Sequence, residues 1–309
     1  MKTKEQEFDD LFADTPPHPE RQSKALDALE NFPTDDGTTL ADANLNKYIE
    51  RTEVISAPAS SPAMIQKQAL QSIIGKYHLN DTVQSVAWHI EDNALSIDFQ
   101  SPHKNMIGRV NHASFPLENC VLPVYDTAKL NKLLGVTSGE LFLSTEKTHA
   151  IHTKLNIADL HYTLNFSLAD LLLIPEVGTA TESGNYGIIS ELDSESRTAI
   201  VKAQGALESN NLILSIDRDL DGLEILKMSF GDESNYNNKI DFQVPNTTII
   251  DVPYGTKIPF DSVLIKSILR NNSDATKALM KVNTKGWIKF EFEGENWSSS
   301  YFVVRKADL

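Results

Sequence analysis

The chain has 309 residues, 43 acidic against 28 basic side chains, and a formal net charge of −15. That length holds about two domains, its 40% hydrophobic content supplies packed cores, and its acidity excludes a uniformly basic nucleic-acid-coating surface without fixing the sign of any one face. The single Cys120 excludes an internal disulfide. With no leader and no apolar run of about 18 residues, a reducing cytoplasm and no membrane are expected. Asn246-Thr-Thr248 therefore implies no glycan.

Residues 1–62 read as an acidic, largely disordered N-terminal arm. They carry Lys2, Lys4, Arg21, Lys24, Lys47 and Arg51 against thirteen acids, and Pro16-Pro17, Pro33 and Ala57–Pro62 punctuate them. Few large apolar residues there offset the entropy of ordering. Ser23–Phe32 and Leu40–Ile49 are amphipathic but too short to be stable helices alone. Gln6-Glu-Phe-Asp-Asp-Leu-Phe12 is either a solvated acidic end or a linear motif that buries Phe8, Leu11 and Phe12 in a pocket.

From Met64 the pattern changes. Ile65–Tyr77 predicts an amphipathic helix, followed by strands at Val83–Ile90, Ala94–Phe99 and Met106–Phe115, with Asp92-Asn93 as a turn. Asp126 caps a helix to Leu134 that Gly135 is expected to stop. Strands follow at Glu140–Ser144, Ala150–Leu155 and Leu160–Leu164, and Ile174–Gly184 reads as a connector. The order then repeats. A helix over Ser190–Leu207 precedes strands at Leu212–Asp217, Leu223–Phe230, Lys239–Val244 and Thr248–Val252. A helix over Phe260–Asn271 precedes strands at Ala278–Val282, Trp287–Phe292 and Tyr301–Arg305, with Gly294–Ser300 as the closing turn. The expected class is α+β, two similar domains with helices packed on antiparallel sheets. The boundaries are 63–175 for domain 1, 176–187 for the connector and 188–309 for domain 2.

Three stretches carry a family resemblance: Val124-Tyr-Asp126 with Leu130, Leu133 and Leu134; Ile258-Pro-Phe260; and Ile288-Lys-Phe-Glu-Phe-Glu-Gly-Glu295 followed by Tyr301–Val304. With the order of elements from Met64 onward, they resemble the sliding clamps of T4-type bacteriophages, within the DNA clamp family. The acidic arm has no counterpart in that pattern.

The resemblance implies a homotrimeric ring around duplex DNA, formed by edge strands that continue a sheet between subunits. It implies no catalysis, cofactor or metal, and a place in the cytoplasm of an infected bacterial host. Implied partners are a DNA polymerase, a clamp loader and late-transcription factors. The four helices would line the hole and offer Lys67, Lys76, Lys129, Lys132, Arg197, Lys202, Lys266 and Arg270 to DNA. Taken singly, each is as well explained as a solvated helix residue. A partner-peptide pocket would draw on Leu173, Ile174, Val177, Val303 and Ala307, each equally readable as core. The Gln6, Phe8, Leu11 and Phe12 motif is similar to peptides that occupy such pockets, and is expected to be able to fill one on its own ring or on another clamp.

Other constellations are weaker. Asp217-Arg-Asp219-Leu-Asp221-Gly222 begins like a calcium loop, but Met228 stands where a bidentate Glu is needed, so a hairpin turn is the better reading. His149 and His152, with His161, do not share a strand face. Glu291 and Glu293 read as a solvated strand edge. The alternatives are a virion structural protein with two β-rich domains, and a β-rich hydrolase, which needs a deep cleft with perturbed acids.

Overall fold

The computed structural model describes residues 63–149, 151–178, 186–231 and 238–306. The arm, with its Gln6–Phe12 motif and both amphipathic pieces, lies outside them, as does Ala307. From residue 61 onward the chain is one compact unit, built by carrying out one folding pattern twice.

The first pass runs β1 (Ala63–Gln66), α1 (Lys67–His78), β2 (Val86–Glu91), β3 (Ala94–Gln100), β4 (Met106–His112), β5 (Cys120–Val124), α2 (Thr127–Leu134), β6 (Glu140–Thr148), β7 (Ile151–Ala158) and β8 (Thr163–Ser167). After a single 3-10 turn at Leu171–Leu173 comes the second pass. It runs β9 (Ile188–Glu191), α3 (Ser194–Leu207), β10 (Asn211–Arg218), β11 (Glu224–Gly231), β12 (Lys239–Val244), β13 (Thr247–Ile249), β14 (Lys257–Asp261), α4 (Ser262–Asn271), β15 (Lys277–Asn283), β16 (Trp287–Glu293) and β17 (Trp297–Val304).

Strand pairing makes the repeat explicit. The order β1-β6-β7-β8 of the first half matches β9-β15-β16-β17 of the second, and β4-β3-β2-β5 matches β12-β11-β10-β14. All paired strands are antiparallel, and pairing of β17 with β4, from Trp297–His112 to Val303–Met106, fuses two of these sheets into one of nine strands. Two domains, each with helices packed on antiparallel sheets, therefore share a continuous sheet. Their helices form one neighbouring series, α2 on α1, α1 on α4 and α4 on α3.

Local chemistry sets the helix ends. Asp126, Asp193 and Asp261 each accept backbone N–H bonds one turn on, from Lys129, from Ser196, and from Val263 and Leu264. Gly135 does not stop α2 by a left-handed turn; its φ is −55°. The end of α2 is instead closed by Thr137 Oγ1, which donates to Leu134 O, while Lys67 Nζ donates to the Gly135 and Thr137 carbonyls just beyond the helix. At the β2–β3 hairpin, Asp92 and Asn93 both take positive φ, 49° and 61°, as a two-residue turn requires.

Several sequence expectations change at element ends. Ile65–Gln66, Ser190–Glu191 and Phe260–Asp261 belong to strands rather than to the helices that follow, and Trp297–Ser300 lie inside β17 rather than in a turn. A ladder on each side of β17, to β16 and to β4, holds the three serines extended.

The seam between the halves is polar as well as apolar. Lys76, 1% exposed, donates from Nζ to both carboxylate oxygens of Asp274 at 3.0 Å and to Ser72 Oγ at 2.5 Å, and its ammonium lies 3.8 Å from the Trp297 ring centroid. Tyr301 OH donates to Lys76 O at 2.8 Å and accepts from Asn272 Nδ2 at 2.8 Å, while Ser299 Oγ donates to Asn272 Oδ1 at 2.7 Å. At Gly75, a β-carbon would come 2.9 Å from Asn271 Oδ1, so where α1 passes α4 a larger residue would have to turn that carboxamide aside.

Burial pulls the Lys76 pKa below its usual 10.5, with Asp274 opposing. Between that lowered value and 10.5 the unfolded chain binds more protons than the folded one, so this residue's contribution makes stability rise with pH there. Burial raises Tyr77 and Tyr301 above their usual 10.0, so their contribution falls once pH passes that value. Chemical denaturation should show Asp274→Ala costing about 2–3 kcal/mol by stranding a buried ammonium. Lys76→Met should cost less and remove the alkaline rise.

Candidate functional site

The eight cations expected on the helix layer fall into two groups. Lys129, Lys132, Lys202 and Arg270 are exposed, and Lys266 is half-buried with its Nζ beside Gly205 of α3. None of these five forms an ion pair with a described carboxylate. They come from α2, α3 and α4, on surfaces turned away from the core.

The other three serve the fold. Lys76 is spent on Asp274, as above. Arg197, 6% exposed, donates from Nη1 to Asn272 O at 2.8 Å and from Nη2 to Ala275 O at 2.9 Å, tying α3 to the end of α4. Burial lowers its pKa. Lys67 is half-buried on the Gly135 and Thr137 carbonyls just past α2. Lys76 and Arg197 are thus corrected as candidates for outside contact, because their helix positions turn into the seam and desolvated charges require partners there.

A groove lies where the connector leaves the first half. Its walls are Leu171, Leu172, Ile174, Pro175, Glu176 and Val177 on one side, with Ala87, His89 and Asp98 from β2 and β3 on the other. Asp170 accepts a bond from Leu172 N at 2.9 Å and so shapes the 3-10 turn. Gln100 holds the next stretch down, donating from Nε2 to Glu176 O at 2.9 Å. Leu171, Leu172 and Leu173 are 51%, 91% and 71% exposed.

Of the residues expected in the pocket, Ile174 and Val177 line the groove. Leu173 is not among its walls. Val303 is 0% exposed and belongs to the core, because the alternation of β17 turns it inward with Tyr301. Sequence reasoning does not find Leu171, Leu172, Ala87, His89 and Asp98. Three consecutive leucines in a connector, where polar residues are the norm, are the signal that points to the first two.

Other motifs resolve as structure. Asp219 Oδ1 accepts from Asp221 N and Leu223 N, making a hairpin turn with Gly222 at φ +80°, while Asp217 is held by Lys227 at 2.8 Å. Among the described residues, no group of three or more His, Cys, Asp or Glu side chains is placed to hold a metal. No described helix is long and apolar enough to cross a membrane.

The chain matches no protein-family model and no curated protein. Solved structures do match. The proliferating cellular nuclear antigen of Entamoeba histolytica superposes with a TM-score of 0.61 at 12% identity, covering 79% of this chain and 98% of that one. The A. fulgidus PCNA, in a structure with the C-terminal region of FEN-1 bound, gives 0.63 at 13% identity, covering 80% and 98%. The PCNA2–PCNA3 complex of Sulfolobus tokodaii gives 0.61 at 9% identity, covering 80% and 99%. In fold, therefore, the chain is similar to the proliferating cell nuclear antigens, with two domains of helices on antiparallel sheets in the DNA-clamp arrangement.

Proposed function

We propose that this chain is a non-catalytic sliding clamp that closes head to tail into a homotrimeric ring around duplex DNA and tethers a polymerase. One observation carries the reading. Within the chain, β17 pairs with β4. Their counterparts in the other half, β8 and β12, each end a four-stranded sheet and have no neighbour on one side among the described strands. An edge strand left bare on a stable protein is a pairing site. Repeating the internal junction between copies joins β8 of one to β12 of the next, a heterologous contact that makes a ring when its rotation closes. Ile240 and Phe242 on β12, with Leu164 on β8, are partly buried apolar residues at these edges.

In such a ring the exposed Lys129, Lys132, Lys202 and Arg270, with Lys266, would face the bore. Five cations on an acidic chain suit phosphate contacts that are sequence-blind and quickly exchanged, and enclosure rather than affinity would provide retention. The acidic remainder would discourage adsorption of DNA on the outside. The groove beside Leu172 would take the peptides of polymerase and loader. The likeness of the C-terminal strands to T4-type phage clamps supports a replisome in the cytoplasm of an infected bacterium, with late-transcription factors as further partners.

Mass-resolved sizing should give a trimer. Thr163→Lys with Asn165→Lys, which charges the exposed side of β8, should give monomers of unchanged Tm; a monomeric parent would return the chain to the class of β-rich structural proteins. On nicked circular DNA the loaded ring should stay bound and leave once the circle is cut. Charge reversal at Lys129, Lys132, Lys202 and Arg270 should keep the trimer but weaken binding. It should also flatten the slope of log affinity against log salt, by about 0.9 for each phosphate no longer neutralised. A bound fraction indifferent to cutting would rule out enclosure.

A further inference from the structure

The β17–β4 join inside the chain shows which side chains meet when two such edges pair. In the β16–β17 hairpin, residues 294–297 separate the last paired residues, Glu293 and Ser298, and Gly294 N donates to Trp297 O at 2.8 Å. The β7–β8 hairpin is built alike. Residues 159–162 separate Ala158 and Thr163, and Asp159 N donates to Tyr162 O at 2.9 Å. Tyr162 therefore stands where Trp297 does. On the facing strands, His112 pairs with Leu95 and Val244 with Leu226, each leucine the first buried residue after its hairpin. Val244 therefore holds the place of His112, and Pro245 that of Ala113.

Trp297 is seated. It pairs with His112, packs partly buried against the core, and carries the Lys76 ammonium on its ring. Tyr162 is 51% exposed in the single chain. The equivalent seat beside β12 is open: Phe242 and Pro245 at the end of that strand form a hollow with Asp193, Glu195 and Ala199 at the start of α3. The surroundings fit the exchange of tryptophan for tyrosine. An indole face suits a cation such as Lys76, whereas a phenol hydroxyl suits the carboxylates of Asp193 and Glu195. Inside the chain, Ala113 N also donates to Asn296 O at 2.8 Å. Pro245 has no N–H to offer His161 of another copy, which leaves a side chain to close that end of the join.

Resting on the pairing of β8 with β12 between copies, we propose that Tyr162 is the anchor of that join, its ring on Phe242 and its hydroxyl on the α3 carboxylates of the next copy. The hollow beside α3 is thus a site completed only by a second copy of this chain. Aromatic side chains that enter such hollows are where the energy of an interface concentrates.

The full chain is to be followed by mass photometry over a dilution series. Tyr162→Ala should raise the subunit dissociation constant about thirtyfold or more. Tyr162→Phe, which keeps the ring and removes the hydroxyl, should raise it about fivefold. Neither should lower the Tm of the separated copies, because the side chain is exposed there. In a Cys120→Ser background, His161→Cys and Pro245→Cys would face each other across the join, as Asn296 and Ala113 do within the chain, and oxidation should give covalent trimers on non-reducing gels. A trimeric parent whose Tyr162→Ala variant dissociates no more readily would overturn the anchor and leave the ring standing. A trimeric parent whose cysteine pair fails to cross-link would overturn the register on which the anchor depends. A parent that is monomeric throughout removes the pairing itself, and the anchor with it.

Discussion

A buried lysine organises the join between the two halves. Placing the Lys76 ammonium at 1% exposure is tolerable only if its donors are used, and Asp274, Ser72 and the face of Trp297 use them. The requirement then spreads. Asp274 sits just past α4, Tyr301 reaches from β17 to the Lys76 carbonyl, Asn272 and Ser299 complete the tyrosine's partners, and Arg197 ties α3 to the Asn272 carbonyl. Apolar packing alone would accept several small displacements of one half against the other. A network in which each polar atom needs a particular neighbour accepts far fewer. Two helix cations that look suited to an outside partner are spent on fixing this geometry.

Repetition then gives the chain its ends. A unit that pairs its own β17 with its own β4, and that is built twice, carries the same two kinds of edge once more at its extremities. Nothing beyond the duplicated pattern is needed to leave β8 and β12, the counterparts of β17 and β4, as edges among the described strands. The edges are also differently furnished from the internal join. Leu164, Ile240 and Phe242 are apolar, and the buried Lys–Asp and Tyr–Asn bonds are features of the internal join. A polar weld inside the chain thus contrasts with plainer, apolar edges at β8 and β12.

Most of the fold is legible in the sequence because long periodic segments dominate it. The four helices, the duplicated order and the C-terminal hairpin follow from apolar spacing and from aspartates at helix starts. The strands hardest to see, β1, β5, β9 and β14, are short and each runs almost directly into a helix. Over so short a span a helical and an extended apolar pattern cannot be told apart. The serines of β17 suggest a turn for a related reason. Their extended form is imposed by strands from both halves, and distant pairing leaves no local mark. The site is legible by type rather than by residue. Charge identifies the helices as basic, but whether Lys76 meets solvent depends on how α1 and α4 lie against each other. Ile174 and Val177 follow from the connector, whereas Ala87, His89 and Asp98 join them only through folding of β2 and β3 beneath it.

The contact at Gly75 shows how a small residue can serve a neighbour's side chain. The carboxamide of Asn271 on α4 lies 2.9 Å from where a β-carbon on Gly75 of α1 would stand, and it is held there by the bond that its Nδ2 donates to Ser267 O. A methyl group on α1 would push that carboxamide aside and set the packing of one helix against a hydrogen bond within the other.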